Sequence, residues 1–140
     1  MRISFTEDLL PKVQGFDCGN EPWEVEVSEW IKAARGAGGA VDDLSRNQVW
    51  LYAIEEGDLV GFGSLGEISQ KWPRGKDPPI QASIIPMLGI DKKYWGQPPG
   101  PRENRYSTLI LDDLIAEAHK NLLKLIVRIA TSGVVSVAGK

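Results

Sequence analysis

The residues best suited to chemistry lie between Ile84 and Ser107. An apolar stretch ends at Ile90 and Asp91, a loop with several glycines and prolines follows, and a helix is predicted to begin near Tyr106. The first N–H groups of a helix have no partner inside it and carry partial positive charge, which favours phosphate. Glycine lets backbone amides approach phosphate oxygens closely. Basic side chains gather here in an otherwise acidic chain: Lys92, Lys93, Arg102 and Arg105.

Metal and thiol chemistry are poorly supported. The chain has one cysteine, Cys18, and one histidine, His119. A lone cysteine forms neither an internal disulfide nor a thiolate metal site, and one histidine excludes histidine-based zinc sites. We therefore expect no metal and a reducing compartment. Cys18 follows an aspartate and precedes a helix, so an activated thiol is an alternative to the structural role that we favour.

Composition narrows the classes of protein that remain. The chain has 140 residues, a net charge of -3 and a pI of about 5.2. This length fits one domain spanning residues 1–140, and the acidic balance makes nucleic acid an improbable partner. No signal segment and no apolar run long enough to span a bilayer is visible, so we expect a cytoplasmic protein without membrane contact.

Hydrophobic periodicity predicts the order strand, helix, hairpin, strand, helix, strand. The strands are predicted at residues 2–5, 49–54, 59–65, 83–90 and 122–130, and the loops include residues 11–19 and 66–79. Asn20 is predicted to cap the first helix, and the second extends from Tyr106 to about Ala118. A strand, a helix and a strand at the end favour a parallel pair with a right-handed crossover. The fold class is therefore α/β, a mixed central sheet flanked by helices.

The tryptophans fall into two groups. Trp23 and Trp30 lie on one apolar stripe of the first helix, and Trp50 lies in a strand, so we predict core packing for all three. Trp72 and Trp95 lie in loops and are better candidates for ligand contact.

Residues 86–97, Pro-Met-Leu-Gly-Ile-Asp-Lys-Lys-Tyr-Trp-Gly-Gln, resemble the central motif of GCN5-related N-acetyltransferases. In that family a strand leads through Asp-x-x-Tyr-Gln-Gly into a pyrophosphate loop and a helix. Residues 16–20, Phe-Asp-Cys-Gly-Asn, and the hairpin ending at residues 59–66 are similar to one bacterial branch of the family. The resemblance covers roughly residues 1–127. It implies an acetyl-CoA-dependent transfer to a small or peptidyl amine.

The resemblance also implies which residues hold the cosubstrate. Backbone groups of Leu88, Gly89 and Ile90 correspond to the strand that holds the thioester and pantetheine arm, like an added strand. The pyrophosphate is expected near the following loop and the helix start, with help from Arg102 or Arg105. The residues implied for that part of the site are Trp95, Gly96, Gln97, Gly100, Arg105, Tyr106 and Ser107.

The chain departs from the family in two places. The family loop usually has a glycine where this chain has Pro98, and Pro98, Pro99 and Pro101 each lack an N–H. Residues 128–140 are atypical or truncated, and no tyrosine follows Tyr106, although the family usually uses a later one to protonate the leaving thiolate. Missing final strands would leave an open sheet edge, which invites aggregation or dimerisation, so a homodimer is one expected assembly.

Three functions remain open. The first is N-acetyl transfer with unknown catalytic residues, for which Glu26 and Glu67 are guesses at a general base. The second is a degenerate, non-catalytic domain that binds CoA or a protein partner. The third is a toxin-type enzyme acting on aminoacyl-tRNA, which the start of residues 16–20 resembles and the acidic pI opposes.

Overall fold

A computed structural model of the protein describes residues 1–55, 57–70 and 80–131. Five strands and four helices are described, besides short 3₁₀ turns. The strands are β1 (Arg2–Ser4), β2 (Gln48–Ala53), β3 (Leu59–Gln70), β4 (Ile80–Ile84) and β5 (Leu88–Ile90). The helices are α1 (Leu10–Val13), α2 (Pro22–Lys32), α3 (Ala40–Asp43) and α4 (Tyr106–Thr131).

The strands form one antiparallel sheet in the order β1-β2-β3-β4, and β5 also pairs with β3. The predicted hairpin is confirmed, because β2 pairs with β3 from Gln48 opposite Leu65 to Ala53 opposite Leu59. Its strand-forming residues alternate between two buried faces, as expected of a sheet that is covered on both sides.

Each face of the sheet has its own apolar cluster. Val49 and Leu51 of β2 face a cluster with α1 and α2, in which the Phe62 ring packs edge-on against Phe16 and stacks on Trp30. The neighbouring residues of β2 point to the opposite face. There Trp50 and Tyr52 pack with Leu65 and, from α4, Ile110 and Leu114. Trp30 and Trp50 are thus core residues, as predicted.

Residues 85–87 divide the strand that we predicted at residues 83–90. On β3, two residues separate the partners of β5 and β4, because Gly63 lies opposite Leu88 and Gly66 opposite Ile84. Three residues, 85–87, separate Ile84 from Leu88 on the opposite side of the ladder. One residue is therefore extra, and the strand bulges. Met87 closes the bulge: its N–H donates to Ser64 Oγ (3.1 Å), and its carbonyl accepts from the Ser64 N–H (2.9 Å).

The prediction of a strand at residues 122–130 is wrong. Helix α4 continues through this segment to Thr131. A short apolar run looks alike in a buried strand and in a helix, and no glycine or proline between Tyr106 and Thr131 ends the helix. The predicted parallel pair is wrong with it, since all pairs among the described strands are antiparallel.

Two loop boundaries were also wrong. Strand β3 continues to Gln70, where a loop was predicted from residue 66, and pairs with β4 over its last five residues. Helix α1 lies partly inside the predicted loop at residues 11–19. Within the described residues, no helix is both long enough and apolar enough to cross a bilayer.

Candidate functional site

A cavity of about 360 Å³ lies beside β5, between the first turns of α2 and α4. One wall comes from α2 and the segment before it, and the other from the loop after β5 and the start of α4. The residues that line it are Cys18, Trp23, Glu24, Val27, Leu88, Gly89, Ile90, Tyr94, Trp95, Gly96, Arg105 and Ser107. Most of the residues implied for the cosubstrate therefore line one cavity.

Strand β5 turns an unpaired backbone edge toward this cavity. The Asp91 N–H donates to the Val60 carbonyl (2.9 Å), and the Ser64 N–H donates to the Met87 carbonyl (2.9 Å). Hydrogen-bonded pairs alternate along an antiparallel ladder. The backbone N–H and C=O of Gly89 therefore bond to β3, while those of Leu88 and Ile90 point away from β3. We call the N–H and C=O groups of Leu88 and Ile90 the outer edge of β5. Among the described strands, none pairs with it.

Gly89 allows β5 to pack directly on the core. A Cβ at this position would overlap the Phe62 ring and a methyl group of Val27. The missing side chain therefore brings the backbone of β5 against β3 and α2 at once. As a result, the first turn of α2 lies next to the outer edge of β5 and forms one wall of the cavity.

The loop after β5 is anchored by Asp91. This residue is 4% exposed, and its carboxylate accepts hydrogen bonds from the N–H groups of Lys93 (3.1 Å) and Asp17 (3.3 Å). The Lys92 N–H donates to the Asp17 carbonyl (2.8 Å), which ties this loop to the segment before α2. The two walls of the cavity are thus joined at its base.

Trp95 covers part of the outer edge of β5. Its indole N–H donates to the Ile90 carbonyl (3.0 Å), while the side chain remains 49% exposed. One of the outward-facing carbonyls therefore already has a donor. Trp95 lines the cavity, and its role in ligand contact stays a prediction. Trp72, for which the same role was predicted, lies outside the described residues.

Arg105 and the start of α4 supply positive charge at one end of the cavity. The Arg105 carbonyl accepts the first bond of the helix, from the Leu109 N–H (3.0 Å). The N–H groups of Ser107 and Thr108, which precede Leu109 in the first turn, have no carbonyl within the helix to bond. The Nε atom of Arg105 is buried without a hydrogen-bond partner among the described residues. Such a buried donor favours a ligand that carries acceptor oxygens.

Three residues implied for the pyrophosphate site do not line this cavity. The Tyr106 N–H donates to the Gln97 carbonyl (2.9 Å), and the Gln97 N–H donates to the Tyr94 carbonyl (3.1 Å). These two N–H groups hold the loop on the helix. The Tyr106 side chain lines a different cavity of about 590 Å³ with Tyr52 and Asp113, and Gly100 is exposed in the loop.

Sequence reasoning missed the α2 wall. Trp23 was predicted to be core but is 63% exposed beside the cavity, because the first turn of α2 extends past the apolar cluster that buries Trp30 and Ile31. Glu24 was not singled out. It belongs to a capping box with Glu21, a signal readable as Glu-Pro-x-Glu at the helix start, so Glu21 is the N-cap and the prediction of Asn20 was wrong. The guessed bases Glu26 and Glu67 are exposed and do not line the cavity.

Cys18 is buried at the cavity wall, and its N–H donates to Ser28 Oγ (2.8 Å). Burial raises the pKa of the Cys18 thiol, which disfavours the nucleophilic thiolate. We expect iodoacetamide at pH 8 to label the folded protein at least about ten times more slowly than the urea-unfolded protein. Since Cys18 is the one cysteine, intact mass spectrometry reads the label directly. Equal rates in the two states would contradict this structural role.

Comparison with known proteins identifies the fold. The chain matches no protein-family model, and no curated protein resembles it in sequence. Solved structures do resemble it. An acetyltransferase from Vibrio fischeri has 12% identity and a TM-score of 0.50, with 89% of this chain and 88% of that chain covered. A tyrosine-to-phenylalanine mutant of KacT has 16% identity and a TM-score of 0.54, with coverage of 84% and 68%.

A further match is a tetramutant of the BH1408 protein from Bacillus halodurans, at 11% identity and a TM-score of 0.57. It covers 87% of this chain and 77% of that chain. These likenesses show the fold alone. The predicted fold class is thereby confirmed: an α/β fold like that of the GCN5-related acetyltransferases, here with an antiparallel sheet.

Proposed function

We propose that the protein transfers an acetyl group from acetyl-CoA to an amine. The observation that carries this proposal is the outer edge of β5, which opens into a cavity that ends at Arg105 and the first turn of α4. An exposed strand edge pairs with amide groups of a ligand, and a helix start with a nearby arginine pairs with phosphate. Pantetheine carries amides, and CoA carries phosphates a short distance along the same arm.

Each part of the site has one task in this proposal. Leu88 and Ile90 bind the pantetheine amides through the outer edge of β5. Arg105, with the N–H groups of Ser107 and Thr108, binds the pyrophosphate. The cosubstrate supplies a thioester whose carbonyl carbon the amine attacks. An outward N–H of β5 is suited to stabilise the oxyanion that develops there.

The fit between Arg105 and an anion rests on its surroundings. Its Nε is buried without a partner among the described residues, which costs free energy unless a ligand acceptor reaches it. The chain as a whole carries a net charge of -3, so a general electrostatic attraction for anions is not expected. Anion binding is therefore a local property of this end of the cavity.

Trp95 should weaken cosubstrate binding, because its indole N–H occupies the Ile90 carbonyl. Trp95→Phe keeps an aromatic ring but removes this competing donor. The release of one neutral hydrogen bond predicts that acetyl-CoA binds about 2–10 times more tightly to the variant, measured by isothermal titration calorimetry. An unchanged or weaker affinity would show that Ile90 contributes no carbonyl to the ligand.

Binding and turnover need separate assays. Calorimetry with acetyl-CoA tests the site, and no heat at high micromolar ligand would overturn the binding part of the proposal. Thiol release over a panel of amines tests the reaction. Amines that are small or peptidyl belong in the panel, since either is consistent with the fold.

A second function is favoured by one observation. Helix α4 continues through residues 122–131, so no described strand lies beside the outer edge of β5, where the order of elements predicted a parallel partner at residues 122–130. This supports a non-catalytic protein that binds CoA without transfer. Acetyl-CoA binding without thiol release for any amine in the panel would favour this alternative.

A further inference from the structure

The cavity beside β5 has charges of opposite sign at its two ends. Its two charged lining residues are Arg105, at the start of α4, and Glu24, in the first turn of α2. The strand edge that would carry the thioester lies between them. A transferase must bring an anionic donor and a cationic amine together. In this cavity the donor would bind near Arg105 and the amine near Glu24.

The Glu24 carboxylate is held in place by the backbone around it. Its Oε1 atom accepts from the Glu21 N–H (2.9 Å), which closes the capping box of α2. Gly19, with φ of +119°, passes so close that a Cβ there would overlap the carboxylate. Glu24 Oε2 accepts no hydrogen bond within the described residues. One oxygen therefore orients the group while the other remains available at the cavity.

Two exposed indole rings line the same cavity as this carboxylate. Trp23 is 63% exposed and Trp95 is 49% exposed. Covering an exposed indole with a ligand removes apolar surface from water, which stabilises the complex. The face of an indole ring attracts cations as well as apolar groups. A cavity lined by one carboxylate and two indoles is suited to an ammonium group attached to an apolar body.

We propose that Glu24, Trp23 and Trp95 form the acceptor subsite, and that the acceptor is a small primary amine with an apolar body. This inference rests on the proposed transferase function. The cavity of about 360 Å³ also has to admit the thioester, so a compact amine fits better than a lysine on a folded protein. An acceptor with a carboxylate near its amine is disfavoured, because it would lie against Glu24.

Glu24 serves recognition in this subsite. The ammonium binds Glu24 and must lose one proton before its nitrogen attacks the thioester. The new N–C bond then forms, the C–S bond breaks, and the sulfur leaves as the thiol of CoA. The overall transfer consumes one ammonium ion and one thioester and gives one amide, one thiol and one proton.

Calorimetry with 2-phenylethylamine tests the subsite on the chain of residues 1–140, with and without CoA, which carries no acetyl group to transfer. We expect Glu24→Gln to weaken amine binding about 10-fold or more, because a charge-assisted bond becomes a neutral one. Glutamine still serves at this position of a capping box, so the variant should fold. Glu29→Gln, on the exposed side of α2 and outside the cavity, is the matched control and should bind like the wild type.

Two further probes separate the contributions. The neutral analogue 2-phenylethanol should bind at least about 10-fold more weakly than the amine, and propylamine should lose affinity for lack of the ring. Equal amine affinity in wild type and Glu24→Gln, or no amine binding to the wild type in either state, overturns the subsite. Acetyl-CoA affinity is measured in a separate titration without amine. If acetyl-CoA does not bind, the transferase proposal is overturned. If acetyl-CoA binds but Glu24→Gln leaves amine affinity unchanged, the subsite alone is overturned.

Discussion

Replacing Phe62 by alanine is expected to lower the free energy of unfolding by about 3–5 kcal/mol. The ring is fully buried in β3 and contacts Phe16 and Trp30, with centroids 5.1 and 5.9 Å away. It also lies directly behind Gly89. Its removal would leave a cavity under β5 that the surrounding sheet and α2 fill only in part. Urea unfolding followed by tryptophan fluorescence measures the loss.

Two controls make this result specific. Phe62→Leu retains most of the apolar volume and should cost less than the alanine variant. Leu111→Ala removes an exposed side chain on α4 and should change stability by less than about 1 kcal/mol. A loss below about 1 kcal/mol for Phe62→Ala would mean that this ring does not hold the sheet and α2 together.

Arg105→Gln is expected to weaken acetyl-CoA binding about 10–100-fold with little change in stability. A hydrogen bond to a charged group contributes about 1.5–3 kcal/mol, which corresponds to that range of dissociation constants. Stability should change little, because the buried Nε has no partner among the described residues that its removal would orphan. Calorimetry and urea unfolding on the same preparation separate the two effects.

Arg102→Gln is the matched control, since Arg102 is exposed three residues earlier and does not line the cavity. Its backbone carbonyl, which accepts from Thr108 Oγ1 (3.0 Å), is kept in the variant. Both arginines were considered for the pyrophosphate in the sequence, and Arg105 alone was assigned to the site. Equal losses of affinity in the two variants would indicate diffuse electrostatic attraction instead of a defined phosphate site.

The parts of the fold that were predictable carry local signals. Residues 49–65 combine strand formers with a short turn, and that pattern has few alternatives to a hairpin. The helix start at Tyr106 follows a proline-rich loop. At residues 122–130 the local signal is ambiguous, since a short apolar run suits a buried strand and a helix equally. The prediction of a parallel pair failed for the same reason, because it required a strand at residues 122–130, where the helix continues.

The candidate site divides in the same way. Its β5, loop and α4 residues are neighbours in sequence, so a single sequence motif is enough to group Leu88, Trp95 and Arg105 in one site. The α2 wall reaches the site only through tertiary packing, in which the bare backbone of Gly89 lies against Phe62 and Val27. Nothing near Glu24 in the sequence indicates that approach.

Titration of acetyl-CoA into uniformly ¹⁵N-labelled protein, read by amide NMR, tests the cosubstrate site most directly. We predict that the amides of Leu88 and Ile90, on the outer edge of β5, and of Ser107, at the start of α4, shift together with one dissociation constant. The amides of Ile3 and Leu51, where β1 pairs with β2, should remain unchanged. Saturable shifts confined to other residues, or no shifts at high micromolar ligand, would contradict an acyl-CoA site at β5.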